Sequence, residues 1–204
     1  MEIKNRILQS AQALFMRNGI KSVSMDDIAS HLSMSKKTLY KWFENKDQIV
    51  QAVTEQHLAM EEAECRRMFE GASNALDELF QMMTWAKRQF QDVHPGIFYD
   101  LKKYYPQAWQ LWEAHKNSFI LEKIGTNLRR GMAEGLYRAD LDVDILSRLH
   151  LAEIELAFNT DFFPLRQYNP QQVHFTFLEH FLLGIATLKG HKLINEYRHV
   201  TEEE

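Results

Sequence analysis

The residues best equipped for chemistry lie between Ser35 and Lys46, SKKTLYKWFENK, and that chemistry is non-covalent recognition. Lys36, Lys37 and Lys41 supply ammonium groups for phosphates. Thr38 and Tyr40 supply hydroxyls, Trp42 an indole N–H, and Thr38 a methyl that suits a thymine contact. Leu39 and Phe43 stand four apart and can anchor the opposite face of the same helix in a core. Such a helix is either a major-groove reader or a lysine-rich solvated face with no partner.

The elements that must position these residues are written just upstream. Ser24 followed by Asp27 fits a capping box, so a helix is predicted from Met25, with Ile28, Ala29 and Leu32 on its inner face. The pattern breaks at Ser33-Met34-Ser35, and Ser35 can cap a second helix through Phe43. Two short helices across a turn of about three residues read as a helix-turn-helix. A first helix from Glu2 to Asn18 carries Ile3, Ile7, Ala11, Leu14 and Phe15 inward and stops at Gly19. A fourth, from Lys46 or Asp47 to about Glu70, is some 36 Å long at about 1.5 Å per residue. It is expected to link the reader to the rest of the chain and to transmit tilt.

The ordered set Tyr40-x-x-Phe43-x-x-Lys46-x-x-Ile49, with Gly19, Ser24, Ile28-Ala29 and Ser35-x-x-Thr38-Leu39-Tyr40 before it, resembles the amino-terminal DNA-binding domain of the TetR family of bacterial transcriptional regulators. The resemblance covers about the first 50 residues. It implies DNA contacts at Ser24, Lys36, Lys37, Thr38, Tyr40, Trp42 and Lys46, with Tyr40 and Lys46 as phosphate clamps. Ser35 and Lys41, on the same helix, complete the expected DNA-binding set. Lys37 stands where the family often has a small residue, and Trp42 where it often has His or Tyr, so the operator does not follow from the family. Trp42 either donates its indole to phosphate or packs.

Composition fits an all-α chain: 204 residues, 45% of them apolar, with eight Gly and four Pro. The net charge of -4 is unevenly spread, +3 over residues 1–50 and -7 over the remainder. A basic head on an acidic body suits docking on phosphate. The single cysteine, Cys65, excludes an internal disulfide. No run approaches the roughly 18 apolar residues of a membrane span, and no leader pattern precedes the first helix, so a cytoplasmic location is expected. Scattered histidines, His174 and His180 the nearest pair, offer no metal signature, and no phosphate loop or nucleophile elbow occurs. Neither catalytic residues nor cofactors are expected.

The expected division is a three-helix reader at 1–46 and a larger helical regulatory and dimerisation domain at 47–204. Residues 58–128 are rich in Met and aromatic side chains, which either fill a helical core or, as the resemblance implies, line a cavity for a small apolar or aromatic effector. His57, Met83, Phe98, Tyr99, Trp112, His115 and Phe119 are the candidate lining. Two helices, Val143–Phe162 and Val173–Leu188, are apolar on more than one side, which predicts a four-helix interface with a second copy. Leu151, Ile154, Phe158, Phe177, Leu178, Phe181 and Ile185 are assigned to it. The function expected is a homodimeric repressor released from a palindromic operator by the effector. The alternative is a DNA-bound adaptor whose body binds another protein.

Overall fold

A computed structural model describes residues 3–90, 93–94 and 96–198, the side chains of 89 and 90 excepted. The described residues form an all-α fold: α1 (Ile3–Asn18), α2 (Met25–His31), α3 (Lys36–Tyr40), α4 (Lys46–Gly71), α5 (Ala75–Phe90), α6 (Ile97–Tyr104), α7 (Pro106–His115), α8 (Leu121–Ala133), α9 (Val143–Ala157), α10 (Pro170–Ile185) and α11 (Leu188–Arg198), with a π-helical turn at Lys116–Ile120. The one β-type contact among them is an isolated antiparallel bridge, Tyr137 to Ala186.

Two compact units emerge. The first holds Met1–Glu62 with Asp92–His115, the second Ala63–Gln91 with Lys116–Glu204. The boundary expected at 46/47 therefore falls inside the first unit, because Ile49, Val50 and Val53 of α4 and Leu101, Tyr105 and Ala108 of α6 and α7 belong to the same core as Ile7, Phe15, Ile28, Leu39 and Phe43. Three short helices bury too little by themselves, and α4, α6 and α7 enlarge the core. Gly19 ends α1 at a φ of +81°, a conformation that glycine adopts without a Cβ penalty.

The second unit is built on Leu76, Leu128, Leu136, Tyr137, Leu178, Phe181, Ile185 and Ile194. Beneath it runs a buried polar network. Asn127 donates to Glu78 (2.7 Å) and to the Ala75 carbonyl (2.9 Å), Arg130 donates to Glu78 (3.0 Å) and Glu134 (2.8 Å), and Tyr137 donates to Asn127 (3.0 Å). Burial pushes the Glu78 carboxyl above its usual range, while Asn127 and Arg130 pull it back. The Tyr137 ring lies where a Cβ on Gly131 would come within 2.0 Å of it, so only glycine lets the ring pack on α8.

Several helix bounds differ from expectation. The helix expected to run through Phe43 stops at Tyr40, and α9 stops at Ala157 rather than Phe162. The last helix, α11, was not foreseen. Its Tyr197 stacks on Phe80 of α5 at 4.6 Å, and Arg198 pairs with Glu179 of α10 at 2.6 Å.

Candidate nucleic-acid interface

The reader is held by local hydrogen bonds. Ser24 Oγ accepts from the Asp27 amide (3.1 Å) and an Asp27 carboxylate oxygen accepts from the Ser24 amide (2.7 Å), which completes the capping box. The Ser24 hydroxyl, which donates to the same carboxylate at 2.6 Å, and then the Ser24 amide hold the Asp27 carboxyl below its ordinary range. Ser35 Oγ accepts from the Thr38 amide (3.1 Å) and exchanges a hydrogen bond with its hydroxyl (2.8 Å). The turn between them passes through Ser33 at a φ of +51°, and the Met34 amide closes on the Ala29 carbonyl (2.9 Å).

Leu39 is fully buried and Phe43 nearly so, which fixes the rotation of α3. Lys36, Lys37, Tyr40, Lys41 and Trp42 are then exposed together, with Tyr40 at 49% and Trp42 at 39%. Large aromatic side chains left in water beside three lysines make a contact surface rather than core. Lys36 reaches Asp26 at 2.5 Å, both ends exposed. An ion pair this exposed is screened by water and contributes little, so a phosphate can displace the carboxylate.

Lys46 is placed differently from its neighbours. Its Nζ donates to the carbonyls of Ile20 (2.5 Å) and Lys21 (3.3 Å), and burial pushes its pKa down. The ammonium thus ties the start of α4 to the α1–α2 loop, a structural task that spacing alone did not reveal.

The expected effector residues are dispersed. Within the first unit, Phe98 packs on Trp112 at 5.4 Å and Trp112 on His115 at 6.2 Å. His115 Nδ1 lies 3.3 Å from a Glu62 carboxylate oxygen, and His57 Nδ1 lies 3.3 Å from the Gln12 amide nitrogen. Desolvation pushes both imidazoles below the usual histidine range. Tyr99 does not join them: it is 53% exposed and its hydroxyl accepts from Lys103 at 2.6 Å. Met83 and Phe119 belong to the second unit, Met83 against its core and Phe119 under Lys123 at 5.5 Å.

The dimer assignment needs correction in part. Leu151, Leu178, Phe181 and Ile185 are buried within the single chain, three of them in the second unit's core, so they serve the protomer's own packing. Ile154, Phe158 and Phe177 are half-buried. The apolar residues left in solvent are Ile145 (62%) and Leu149 (47%) on α9 and Leu183 (36%) on α10. Among the described residues no group of three or more His, Cys, Asp or Glu could hold a metal ion, and no helix is long and apolar enough to cross a membrane.

Fold and exposed helix together define a DNA-binding transcriptional regulator of the helix-turn-helix class, not an enzyme. The family model for bacterial regulatory proteins of the tetR family matches residues 7–53, so the amino-terminal helix-turn-helix domain is of the TetR type. It is 36% identical over 110 residues to the uncharacterized HTH-type transcriptional regulator YvaF of Bacillus subtilis, a match covering 53% of this chain and 57% of that one. It is 24% identical over 202 residues to the HTH-type transcriptional repressor KstR2 of Mycolicibacterium smegmatis, covering 93% of each. Among solved structures, a transcriptional regulator from Saccharomonospora viridis in complex with choline superposes with a TM-score of 0.70 at 18% identity, covering 90% of this chain and 97% of that one.

Proposed function

We propose that the chain is a homodimeric repressor of the cytoplasm. In this reading two copies of α3 read the half-sites of a palindromic operator, and a small apolar or aromatic effector bound in the body, residues 47–204, releases them. The observation that carries the reading is the face formed by α3 and the turn after it: Lys36, Lys37, Tyr40, Lys41 and Trp42 stand in solvent while Leu39 and Phe43 are buried behind them. Thr38 and the two capping serines, Ser24 and Ser35, lie beside that face with hydroxyls for phosphate or base contacts.

One α3 spans few base pairs, so specificity calls for two, with half-sites about 34 to 36 Å apart or a near multiple. Ile145, Leu149 and Leu183, with Gly184 open to solvent on α10, give the body an apolar face that a second copy would cover. The repressor KstR2, similar over most of its length, supports repression, and the choline complex shows a protein of the same fold holding a small molecule. Phe98, Trp112 and His115 are the aromatic and polar groups best placed to meet an effector, with His57 close by in the same unit. The effector lowers operator occupancy only by its preference for the body conformation that misplaces the heads.

The adaptor reading has one observation in its favour: Phe162 (69% exposed), Leu165 (40%) and Tyr168 (45%) cluster in the segment between α9 and α10, where a protein partner could dock. The test is gel retardation of fragments flanking the gene itself, at low salt, with and without Lys37→Ala. The unaltered protein is expected to retard one fragment and Lys37→Ala to lose the preference for it. Failure to retard any fragment would refute both readings.

A further inference from the structure

We infer that the α1–α2 loop and α6 form a second phosphate-contacting surface, which lies along the flank of the duplex that α3 reads. The inference rests on the DNA-reading assignment. Two lysines far apart in sequence converge on one phenol: Lys21 Nζ donates to the Tyr104 hydroxyl at 3.0 Å and stands 4.7 Å from its ring centroid, and Lys103 Nζ stands 5.5 Å from the same centroid. Lys103 also donates to Tyr99 at 2.6 Å.

No ion pair to a carboxylate engages Lys21 or Lys103 among the described residues. The nearby acid, Asp100, is buried, and its Oδ2 accepts the Lys21 backbone amide at 2.8 Å. Like charges brought together repel, and here tyrosine hydroxyls and ring faces, with the charge of Asp100 acting on Lys21, hold the two ammonium groups in place. An anion brought to that spot meets charge already positioned. Lys21 and Lys103 are both exposed, which suits an extended polyanion rather than a small enclosed one.

Its place in the fold says which polyanion. Lys21 stands three residues before Ser24, and Lys46 donates to the Lys21 carbonyl at 3.3 Å. Both Ser24 and Lys46 are positions where the family resemblance implies DNA contact, Lys46 as a phosphate clamp. The Lys21 backbone therefore joins the start of α4 to the Lys21–Tyr104–Lys103 cluster at α6. All of these residues lie in the first compact unit together with α3. A duplex held by the reader would continue past Ser24 toward Lys21 and Lys103.

The test is fluorescence anisotropy with a labelled mixed-sequence duplex of about 40 base pairs, titrated at several salt concentrations, since each phosphate contact contributes about 0.9 to the slope of log affinity against log salt. Lys21→Gln combined with Lys103→Gln is expected to flatten the slope by about two units. The same pair changed to Arg is expected to keep it, as is Lys192→Gln on α11. The inference is overturned if the Gln pair keeps the native slope while Lys37→Ala flattens it, an outcome that leaves the DNA-reading assignment standing. It is also overturned if the Arg pair fails to keep the slope, which would make the loss structural. A native protein with no salt-dependent binding to this duplex overturns the inference and the DNA-reading assignment together.

Discussion

Lys46 shows how one side chain can carry two duties that a sequence motif merges. Its position in the Tyr-x-x-Phe-x-x-Lys pattern implies a phosphate clamp, whereas its ammonium in the free protein caps the carbonyls of Ile20 and Lys21. Lys46→Ala is expected to lower stability by about 1–2 kcal/mol, as loss of charge-assisted hydrogen bonds does, and to flatten the salt dependence of DNA binding by about one unit. Thermal melting and a salt titration separate the two, and a lowered melting point with an unchanged slope would leave only the structural duty. Glu61 of α4 makes a different statement. Desolvation, aided by the neighbouring Glu62 charge, pushes its carboxyl up to about 7. Between pH 4.5 and about 7 the folded state keeps a proton that the unfolded chain has released, so this residue's contribution falls as pH rises through that window. Glu61→Gln should therefore raise the melting temperature at pH 7.5 more than at pH 5, by about 1–2 kcal/mol of stability at the higher pH. Equal effects at the two pH values would show that the carboxyl titrates normally.

Elements were legible in the sequence where their determinants are local. The capping box at Ser24, the cap at Ser35 and the Leu39–Phe43 anchor each span four or five residues, and α2 and α3 start where those residues put them. What the sequence did not disclose depends on partners distant along the chain. The π-turn at Lys116–Ile120 carries a buried Lys116 paired with Glu155 of α9, and no periodicity within the helix announces it. The choice between two apolar stripes on α9 and α10 went partly wrong for the same reason. Periodicity shows that both stripes exist, but α5 and α8 decide which of them is already covered. The lone helix α11 begins one residue after Thr187, whose hydroxyl accepts from the Gly190 amide at 3.1 Å, a Ser/Thr cap inside what had read as one continuous apolar helix. At the candidate interface, exposure of Lys37 and Tyr40 followed from the spacing and that of Trp42 was left open by it, whereas the Lys21–Tyr104–Lys103 cluster required the fold to bring residues some 80 positions apart together.

At the scale of the whole molecule, charge and apolar surface are partitioned by task. The excess of basic residues lies in the first 50 residues and the excess of acids in the rest, so a duplex attracts one end of the chain and is repelled by the other. The exposed apolar residues of α9 and α10 are expected to hold two chains together, and Leu149→Glu should convert the dimer to a monomer in analytical ultracentrifugation while leaving the helical circular dichroism unchanged. A variant that still sediments as a dimer would move the interface elsewhere. The final helix carries a consequence for anyone engineering this protein. Because Ile194 is almost wholly enclosed and Tyr197 lies flat on Phe80, α11 is an internal wall of the second unit rather than a dispensable tail. Reporter fusions and affinity handles belong beyond Arg198, and a cut made after Thr187 would strip the wall away and leave sticky rings of the kind that drive proteins out of solution.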